Sequence, residues 1–425
     1  MENGITVNTN IMLKKFIFIS FITAIFTVPS YTQFGDELRI GGYARNYTGV
    51  LTSEGGELSI LQNTLNINLS KRGDNIAFRV NPYFYQYFDN EPEIGLREAY
   101  LDIYFDNIDL RVGRQQIIWG KADGVFITDV VSPKDMREFL LPDFEEIRMG
   151  VTSVKANYYF GMNTVEAVWA PVFTATKMPG EGSIWRPEMD FPVPPQFDHS
   201  LSDVKPSVEN SEIFLRYSLM SPSADLEFVG GYFWYDDPAL HMERELDPAT
   251  GNITGLTVSP QYHRVSMAGG SFSKPVGRFV LRGEGGYYSG RYFQTTDPAV
   301  PDAVVKKNYL HYMAGIDFTI GGVNLSSQFI QEYILDYDAH IQNDEFETTM
   351  TFMANKDFFR EKLRLELFAY TGFNNEDALI RPKITWDFAD AFEVLGGANI
   401  FIGEEGRFGQ YSDNDMVYIK LKYSF

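Results

Sequence analysis

The chain has 425 residues, no cysteine and a formal net charge of −21, so disulfide and thiolate chemistry are excluded. Such an acidic chain lacks the clustered lysine and arginine that neutralise a phosphate backbone, which argues against nucleic acid as a partner. Aromatic residues make up 15% of the chain and glycine is frequent, a composition that favours many β-strands joined by turns.

The N-terminal segment has the features of a secretory signal peptide. Lys14 and Lys15 form a basic region, residues 16–28 are apolar, and residues 29–32 suit cleavage. The apolar stretch is shorter than the ~20 residues that a membrane-spanning helix needs. Met12 directly precedes the basic pair, so we interpret residues 1–11 as upstream sequence from a misassigned start. We therefore assign residues 1–32 to the leader and signal peptide, and residues 33–425 to a single domain.

Beyond residue 36, apolar and polar residues alternate with a period of two. Leu101 and Ile103 alternate with tyrosine and acidic residues, and Leu363, Leu365 and Leu367 alternate with charged residues. The polar face mixes charges, aromatic rings and glycine, which is typical of a water-filled lumen whose other wall contacts lipid. No later segment is long and apolar enough for a spanning helix, so membrane residence requires a closed barrel.

The lengths of the connections between strands point the same way. We count about 18 strands, with 16 as the alternative, and short turns alternate with long connections along the chain. Outer-membrane barrels have short periplasmic turns and long external loops. The sequence therefore predicts an all-β, antiparallel transmembrane β-barrel in the outer membrane of a Gram-negative bacterium. The long connections are expected at residues 89–94, 119–149, 172–209, 236–260, 294–307 and 403–413.

A two-residue turn at residues 106 and 107 fixes the register of one hairpin. The predicted opposing pairs are Asp102 with Arg111, Tyr100 with Gly113, and Glu98 with Gln115. The first pair is expected to form a cross-strand ion pair, and Tyr100 is expected to cover the bare backbone of Gly113. Two interpretations remain open: these residues set the register, or they line the lumen.

The connection at residues 119–149 is long and amphiphilic. Ser132 and the proline after it are suited to begin a short helix that continues to Leu140. Leu140, Leu141 and Phe144 are too apolar for a free surface loop, so we expect them to be buried. The loop either enters the barrel and narrows it or lies as a lid over the mouth, and we favour entry.

The last strand ends on an aromatic residue. Val417, Ile419, Leu421, Tyr423 and Phe425 share one face of this strand. A terminal strand with this pattern resembles the signal that the barrel-assembly machinery recognises. We therefore assign an assembly role to Tyr423 and Phe425.

Three segments carry a resemblance to a known family. They are REAYLD at Arg97–Asp102, GRQQIIWGKADG at Gly113–Gly124 and SPKDMREFLLPD at Ser132–Asp143. In their order and spacing they resemble the bacterial outer-membrane family called domain of unknown function 1302. The chain is more distantly similar to alginate-export and phosphate-selective porin barrels. The resemblance implies transport across the outer membrane, including transport of hydrophobic or lipid-like cargo.

The sequence shows no pattern of an enzyme or a cofactor site. It contains no metalloprotease, phosphate-loop or nucleophile-elbow motif, and its five histidines are far apart. The acidic stretch from Asp236 to Asp247 is interpreted as a solvated loop, with a divalent-cation site as the alternative. We therefore assign no catalytic, cofactor-binding or metal-binding residue.

The prediction for function is a pore or transport conduit for small or amphiphilic molecules. The alternatives are a structural or adhesive barrel that acts through its acidic external loops and, less favoured, an outer-membrane hydrolase. The expected partners are outer-membrane lipid, the assembly machinery and a periplasmic transport protein. The candidate lumen or constriction residues are Glu98, Asp102, Arg111, Arg114, Gln115, Trp119, Lys121, Asp123, Arg137, Arg148, Arg364, Arg381 and Lys383.

Overall fold

The structure is a computed structural model that describes residues 38–425, except residues 54, 88–90, 188, 190 and 251 and the side chain of Phe144. The predicted leader and signal peptide, residues 1–32, lie outside the described residues. No helix in the described part of the chain is long and apolar enough to cross a membrane.

Eighteen strands form one closed antiparallel sheet, which confirms the predicted barrel and the higher of the two strand counts. Each strand pairs with its neighbours along the chain, and the first strand pairs with the last from Tyr43–Ser424 to Leu51–Met416. The barrel strands are β1 (Arg39–Leu51), β2 (Leu58–Arg72), β3 (Ile76–Tyr87), β4 (Glu93–Tyr104), β5 (Ile108–Gln115), β6 (Val151–Phe160), β7 (Asn163–Ala170), β9 (Glu212–Met220), β10 (Asp225–Trp234), β13 (Arg264–Val276), β14 (Phe279–Gln294), β15 (Val304–Ile320), β16 (Val323–Ile334), β17 (Phe346–Phe358), β18 (Leu363–Gly372), β19 (Asp377–Ala389), β20 (Phe392–Ile402) and β21 (Met416–Ser424).

A separate three-stranded sheet lies among the long connections. It consists of β8 (Gln196–Phe197), β11 (Ala239–Leu246) and β12 (Ile253–Gln261). The interpretation of the acidic stretch from Asp236 to Asp247 as a solvated loop is therefore wrong, because β11 lies within it. Leu256 and Val258 of β12 are buried.

Short turns and long connections alternate between the two ends of the barrel, as predicted. At one end the strands are joined by turns of two to four residues, such as residues 161–162 and 321–322. At the other end lie the long connections, the largest of which are residues 116–150, 171–211 and 235–263. We refer to these as the short-turn end and the long-loop end.

The two faces of the barrel wall differ in chemistry. Leu365 and Ile419 are exposed on the outer face, whereas Asp102 and Gln328 are buried on the inner face. This arrangement is the reverse of a water-soluble core, and it suits a wall with apolar surroundings and a polar interior.

The β4–β5 hairpin has two of the three predicted pairs. Tyr100 lies opposite Gly113 and Asp102 lies opposite Arg111. Gly113 has a φ of 131°, and a Cβ atom there would lie 2.2 Å from the carbonyl oxygen of Ala99. A side chain is therefore excluded at residue 113, because both the space and the backbone conformation require glycine.

The third predicted pair, Glu98 with Gln115, does not form. The paired region ends at Ala99 and Arg114. The carboxylate of Glu98 instead accepts a hydrogen bond of 3.1 Å from the backbone N–H of Gln116, where the chain leaves the sheet. This bond turns the long connection after β5 toward the inside of the barrel.

Candidate functional site

The long connection between β5 and β6, residues 116–150, crosses the inside of the barrel, and we call it the inner loop. Val130 and Val131 belong to an apolar cluster with strands from β6 to β16. Leu140 and Leu141 belong to a second cluster with strands β18 to β21, and they are only 1% and 4% exposed. The loop therefore contacts opposite walls, which confirms the predicted entry and the burial of both leucines; the side chain of Phe144 is not described.

The predicted helix from Ser132 to Leu140 is wrong. The hydroxyl of Ser132 accepts a hydrogen bond of 2.9 Å from the N–H of Ile117, so it is not available as a helix cap. Isolated β-bridges at Lys134 and Asp135 hold the following backbone in an extended form. A single helical turn, α1 (Phe144–Ile147), occurs later in the loop.

The first half of the inner loop, residues 116–132, is held by one buried carboxylate of the barrel wall. Glu284 of β14 accepts hydrogen bonds from the backbone N–H groups of Lys121 at 2.6 Å, Ala122 at 2.9 Å and Thr128 at 2.7 Å. It also accepts one from the Thr128 hydroxyl at 2.8 Å. Hydrogen bonds to a charged acceptor are stronger than neutral ones, so this carboxylate fixes the course of the loop.

Neighbouring wall residues bind the same half of the loop around Asp123. Its carboxylate accepts hydrogen bonds from Arg282 at 2.6 Å and from the side-chain amide of Gln328 at 2.5 Å. The hydroxyl of Tyr370 donates a 3.0 Å hydrogen bond to the carbonyl of Gly124. These contacts join strands β14, β16 and β18 to one short stretch of the loop.

Two further predicted residues of this half face acidic wall residues. The indole N–H of Trp119 donates a 2.5 Å hydrogen bond to Glu166, and the ring is buried. The ammonium of Lys121 lies 3.6 Å from a carboxylate oxygen of Glu227. Both side chains therefore anchor the loop to β7 and β10.

The second half of the inner loop, residues 133–150, is held mainly by basic groups of the opposite wall. Arg381 of β19 donates hydrogen bonds of 2.9 and 2.7 Å to the carbonyls of Leu140 and Leu141. Arg45 of β1 forms an ion pair of 2.9 Å with Glu146. These bonds hold the second half of the loop against the wall near the pairing of β1 with β21.

The two arginines of the second half pair with different partners. Arg137 bonds to Asp135 at 2.6 Å and to Glu93 of β4 at 2.9 Å. Arg148 bonds to Asp129 at 2.5 Å, which ties the second half of the loop to the first. Both arginines therefore stabilise the folded shape of the loop.

The acidic groups near Arg45 differ in pKa. Burial would raise the pKa of Glu146, but Arg45 and Arg97 outweigh it, so the pKa is lowered. Burial, supported by the nearby charge of Glu146, raises the pKa of Glu138 to about 7, although Lys420 and Arg45 oppose the shift. Glu138 is therefore the carboxyl group of the second half whose charge changes near neutral pH.

The remaining predicted residues are spread over the barrel. Asp102 and Arg111 form the expected ion pair at 2.6 Å, and Gln115 is fully buried with its amide bonded to Ser153. Arg114 does not face the lumen, because it lies on the outward face of β5 with the exposed Val112 and bonds to the carbonyl of Leu96. The period of two places Arg111 and Arg114 on opposite faces of β5, so both could not line the lumen.

Other candidates lie away from the loop. Arg364 pairs with Asp357 near the short-turn end, and Lys383 pairs with Glu366 at 2.6 Å on the inner wall. Phe425 exchanges two backbone hydrogen bonds of 3.0 Å with Gly42, and its ring lies 6.3 Å from that of Tyr423. The structure thus brings Arg381 together with the candidate residues of the inner loop, whereas Arg364 and Lys383 lie elsewhere on the wall.

Several wall residues that hold the loop were not predicted as site residues. They are Arg45, Glu166, Arg282, Gln328 and Tyr370. Each occupies an inward position of an alternating strand, and this is the only signal that the sequence gives for them. The alternation does not say which of the many inward positions meets the loop.

Two cavities border the inner loop, and another lies on the wall of β1–β4. The outer cavity, about 320 Å³, opens toward the long-loop end and is lined by Phe126, Tyr235, Arg291, Tyr309 and Arg407, among others. A narrow cavity of about 50 Å³ lies between the second half of the loop and strands β1 to β3. The basic basin, about 290 Å³, lies near the short-turn end of β1–β4. The inner loop therefore lines the outer cavity and the narrow cavity, whereas the basic basin is lined by residues of β1–β4.

A family model matches residues 62–355, a span that covers the inner loop and most of the strands that bind it. The family is described as Protein of unknown function (DUF1302). The chain belongs to this family. The membership confirms the resemblance of the three motifs. A search of curated proteins found no match.

Solved structures with the same barrel confirm the fold of this DUF1302 protein. The chain is similar to OccK2 (OpdF) from Pseudomonas aeruginosa in complex with glucuronate, with 10% identity, a TM-score of 0.55, and coverage of 92% of this chain and 98% of that one. OccAB2 from Acinetobacter baumannii gives 9% identity, a TM-score of 0.54 and the same coverages. OpdL from Pseudomonas aeruginosa gives 11% identity and a TM-score of 0.53, with coverage of 92% of this chain and 99% of that one. The identity is low, so the likeness establishes the fold.

Proposed function

We propose that this DUF1302 protein is an outer-membrane channel, a pore or transport conduit whose narrowest point is set by the inner loop. The observation that carries the proposal is the loop itself, which bonds to Glu284 on one wall and to Arg381 on the opposite wall. A barrel with a polar interior has space for a solute path, and a loop fixed across it restricts that path. OccK2, with a similar fold, was solved in complex with glucuronate, a small polar molecule.

The outer cavity supports small amphiphilic molecules as the substrates. Its lining combines aromatic rings with charged groups, and the guanidinium of Arg291 lies 4.9 Å from the ring centre of Tyr235 and 4.7 Å from that of Tyr309. Ligand sites commonly pair apolar walls with a few fixed polar groups. An amphiphile could place its apolar part on the rings and its polar part on Arg291.

The proposed location and assembly follow from the outer surface. The outward face of the last strand carries Val417, Ile419, Leu421 and Phe425, which suits contact with lipid. We expect Tyr423 and Phe425 to guide insertion by the assembly machinery.

Replacing Phe425 with serine should lower the amount of heat-modifiable barrel in the outer membrane, while unchanged surface levels would exclude this role.

The experiment that tests the proposed function compares two deletions in planar lipid bilayers. Removing residues 125–147 takes away most of the inner loop, whereas removing residues 239–261 takes away the same length as the external β11–β12 hairpin. We expect the first deletion to raise single-channel conductance several-fold, because the obstruction inside the barrel is lost. The second should change it little, because the hairpin does not contact Glu284 or Arg381.

Both deletion variants must first show the gel shift on heating that marks a closed barrel. If the wild-type protein and the first deletion both fail to conduct, the barrel is not a channel. If the two deletions raise conductance equally, the inner loop does not set the narrowest point.

A further inference from the structure

The basic basin lies on the inner wall of β1–β4, beyond the inner loop on the short-turn side. Its lining comprises Arg39, Asn68, Ser70, Lys71, Arg72, Ala77, Phe78, Arg79, Tyr100 and Asp102. Arg39, Arg72 and Arg79 carry positive charge on the inner face, Lys71 lies on the alternate face of β2, and Asp102 is a carboxylate. This excess of positive charge stands out in a chain whose net charge is −21.

The register of the strands explains why this region is concave. Across the sheet, Arg39 lies opposite Ser70, and Ser70 lies opposite Arg79. In the next inward row, Arg72 lies opposite Ala77, which in turn lies opposite Asp102. Short side chains at Ser70 and Ala77 therefore form the floor, and long basic side chains stand at its edges.

The single carboxylate of the basin is already neutralised. Asp102 accepts hydrogen bonds of 2.6 and 3.1 Å from Arg111, which itself stacks on the ring of Tyr100 at 3.8 Å. Paired in this way, Asp102 contributes little attraction for the other cations. Its engagement with Arg111 leaves Asp102 unable to compensate Arg39 and Arg72.

The other cations keep capacity to bind. Within the described residues, Arg39 and Arg72 form no ion pair. The Nε atom of Arg79 lies 3.5 Å from a carboxylate oxygen of Glu98, so the charge of Arg79 is partly compensated. Arg72 is positioned by the ring of Tyr104, whose centre lies 5.1 Å from the guanidinium carbon. Arg39 and Arg72 can therefore bind a ligand oxygen without first giving up an ion pair.

We propose that the basic basin is a binding site for an oxyanion, a phosphate or carboxylate group carried by a solute inside the barrel. Guanidinium groups present paired N–H donors that match the oxygen geometry of both groups. The stacked rings hold Arg72 and Arg111 in place, which lowers the entropy lost on binding. The proposal rests on the proposed channel function and narrows its substrates to anionic solutes.

Isothermal titration calorimetry on the full-length barrel in detergent tests the proposal, with inorganic phosphate and succinate titrated separately at low salt. We expect one site, for at least one of the two anions. The substitutions R39Q and R72Q each remove a cation with no ion pair to lose, and each should weaken binding about tenfold. Because neither side chain supports another, the gel shift on heating should be unchanged.

The matched control is R364Q. Arg364 lies on the inner face near the same end of the barrel but outside the basin, and it pairs with Asp357 at 3.3 Å. The R364Q substitution removes the same charge as R72Q. If the anion binds in the basin, R364Q should change the affinity for the anion less than about twofold. Equal weakening by R364Q and R72Q, or no binding of either anion to the wild-type protein, would overturn the proposal.

Conductance recorded from the same preparations separates this inference from the proposed function. A barrel that conducts but binds neither anion refutes the oxyanion site and leaves the channel intact. A barrel that binds phosphate with the expected loss in R72Q but does not conduct refutes the channel and leaves the site intact.

Discussion

The two halves of the inner loop are held in different ways. In the first half, backbone N–H groups bond to Glu284, and the apolar side chains pack almost entirely on barrel strands. In the second half, Phe139, Leu140 and Leu141 pack on strands and also on other long connections, through Trp185, Phe408 and Tyr411. The first half is thus attached to the sheet, and the second half is shared between the sheet and other loops.

This difference has a consequence for motion. A barrel strand cannot move without breaking its ladder of hydrogen bonds, whereas surface loops open at a much lower free-energy cost. Phe139 also has a φ of 53°, a conformation that costs a bulky residue about 1–3 kcal/mol. We therefore expect the second half to move with the external loops while the first half stays in place.

The largest effect is expected from E284Q. Glutamine keeps the shape of Glu284 but turns an N–H₂ group toward one set of the loop N–H groups, which lose their acceptor. A buried N–H without an acceptor costs about 1–3 kcal/mol, so the first half should lose roughly 3 kcal/mol. Hydrogen exchange at residues 121–128 should become about a hundredfold faster.

The control for E284Q is E366Q, which removes an inner-wall carboxylate that pairs with Lys383 and not with the loop. It should leave exchange at residues 121–128 unchanged. If E284Q also leaves this exchange unchanged, the first half is not held by the Glu284 carboxylate.

A smaller effect is expected from R381Q in the second half. The substitution removes two charge-assisted hydrogen bonds to the carbonyls of Leu140 and Leu141, worth about 2 kcal/mol together. Exchange at residues 137–142 should accelerate about thirtyfold, and the first half should keep its protection. The exchange rate of R381K should lie between those of the wild-type protein and R381Q, because lysine keeps the charge but lacks the paired donors.

K383Q provides the matched control, since Lys383 is on the same strand and does not touch the loop. Acceleration in both halves after R381Q would show that the loop opens as one unit, contrary to the distinction drawn here.

The smallest effect is expected from pH. The pKa of Glu138 is raised to about 7 in the structure, above the usual 4.5. Between pH ~4.5 and about 7, the second half of the loop therefore binds an additional proton when it is packed inside the barrel. The stability that this proton contributes is fully present below pH ~4.5 and is lost as pH rises through about 7. Channel opening should therefore increase between pH 6 and 8, and E138Q should abolish the increase.

E146Q is the control for the pH experiment. The pKa of Glu146 is lowered, so its carboxylate is charged throughout this range. Because its charge helps to raise the pKa of Glu138, E146Q should keep the pH response but shift its midpoint to lower pH. A pH response that persists in E138Q would assign the titration to another group.

The sequence predicted the barrel because alternation and connection length are local signals. The exposed Leu365 and the buried Asp102 lie on the faces that the period of two requires. Entry of the loop also followed from local information, since Leu140 and Leu141 needed burial and the nearest apolar surface was inside the barrel.

The anchors of the loop could not be predicted in this way. Glu284 and Thr128 are 156 residues apart, and their contact depends on the closure and stagger of the whole barrel. The helix at Ser132 was mispredicted for a related reason, because its capping hydroxyl is used by Ile117. The external hairpin was missed because its apolar residues are few and flanked by acidic ones.

Thiol modification measures the difference between the two halves most directly. The chain contains no cysteine, so a single introduced thiol reports one position without background. Ile127 in the first half and Leu140 in the second are 0% and 1% exposed, so I127C and L140C start from equal burial. In the folded, detergent-solubilised barrel, we expect L140C to react with a small maleimide at least about tenfold faster than I127C, which corresponds to ~1.4 kcal/mol. Equal rates, or faster reaction of I127C, would contradict a fixed first half and a movable second half.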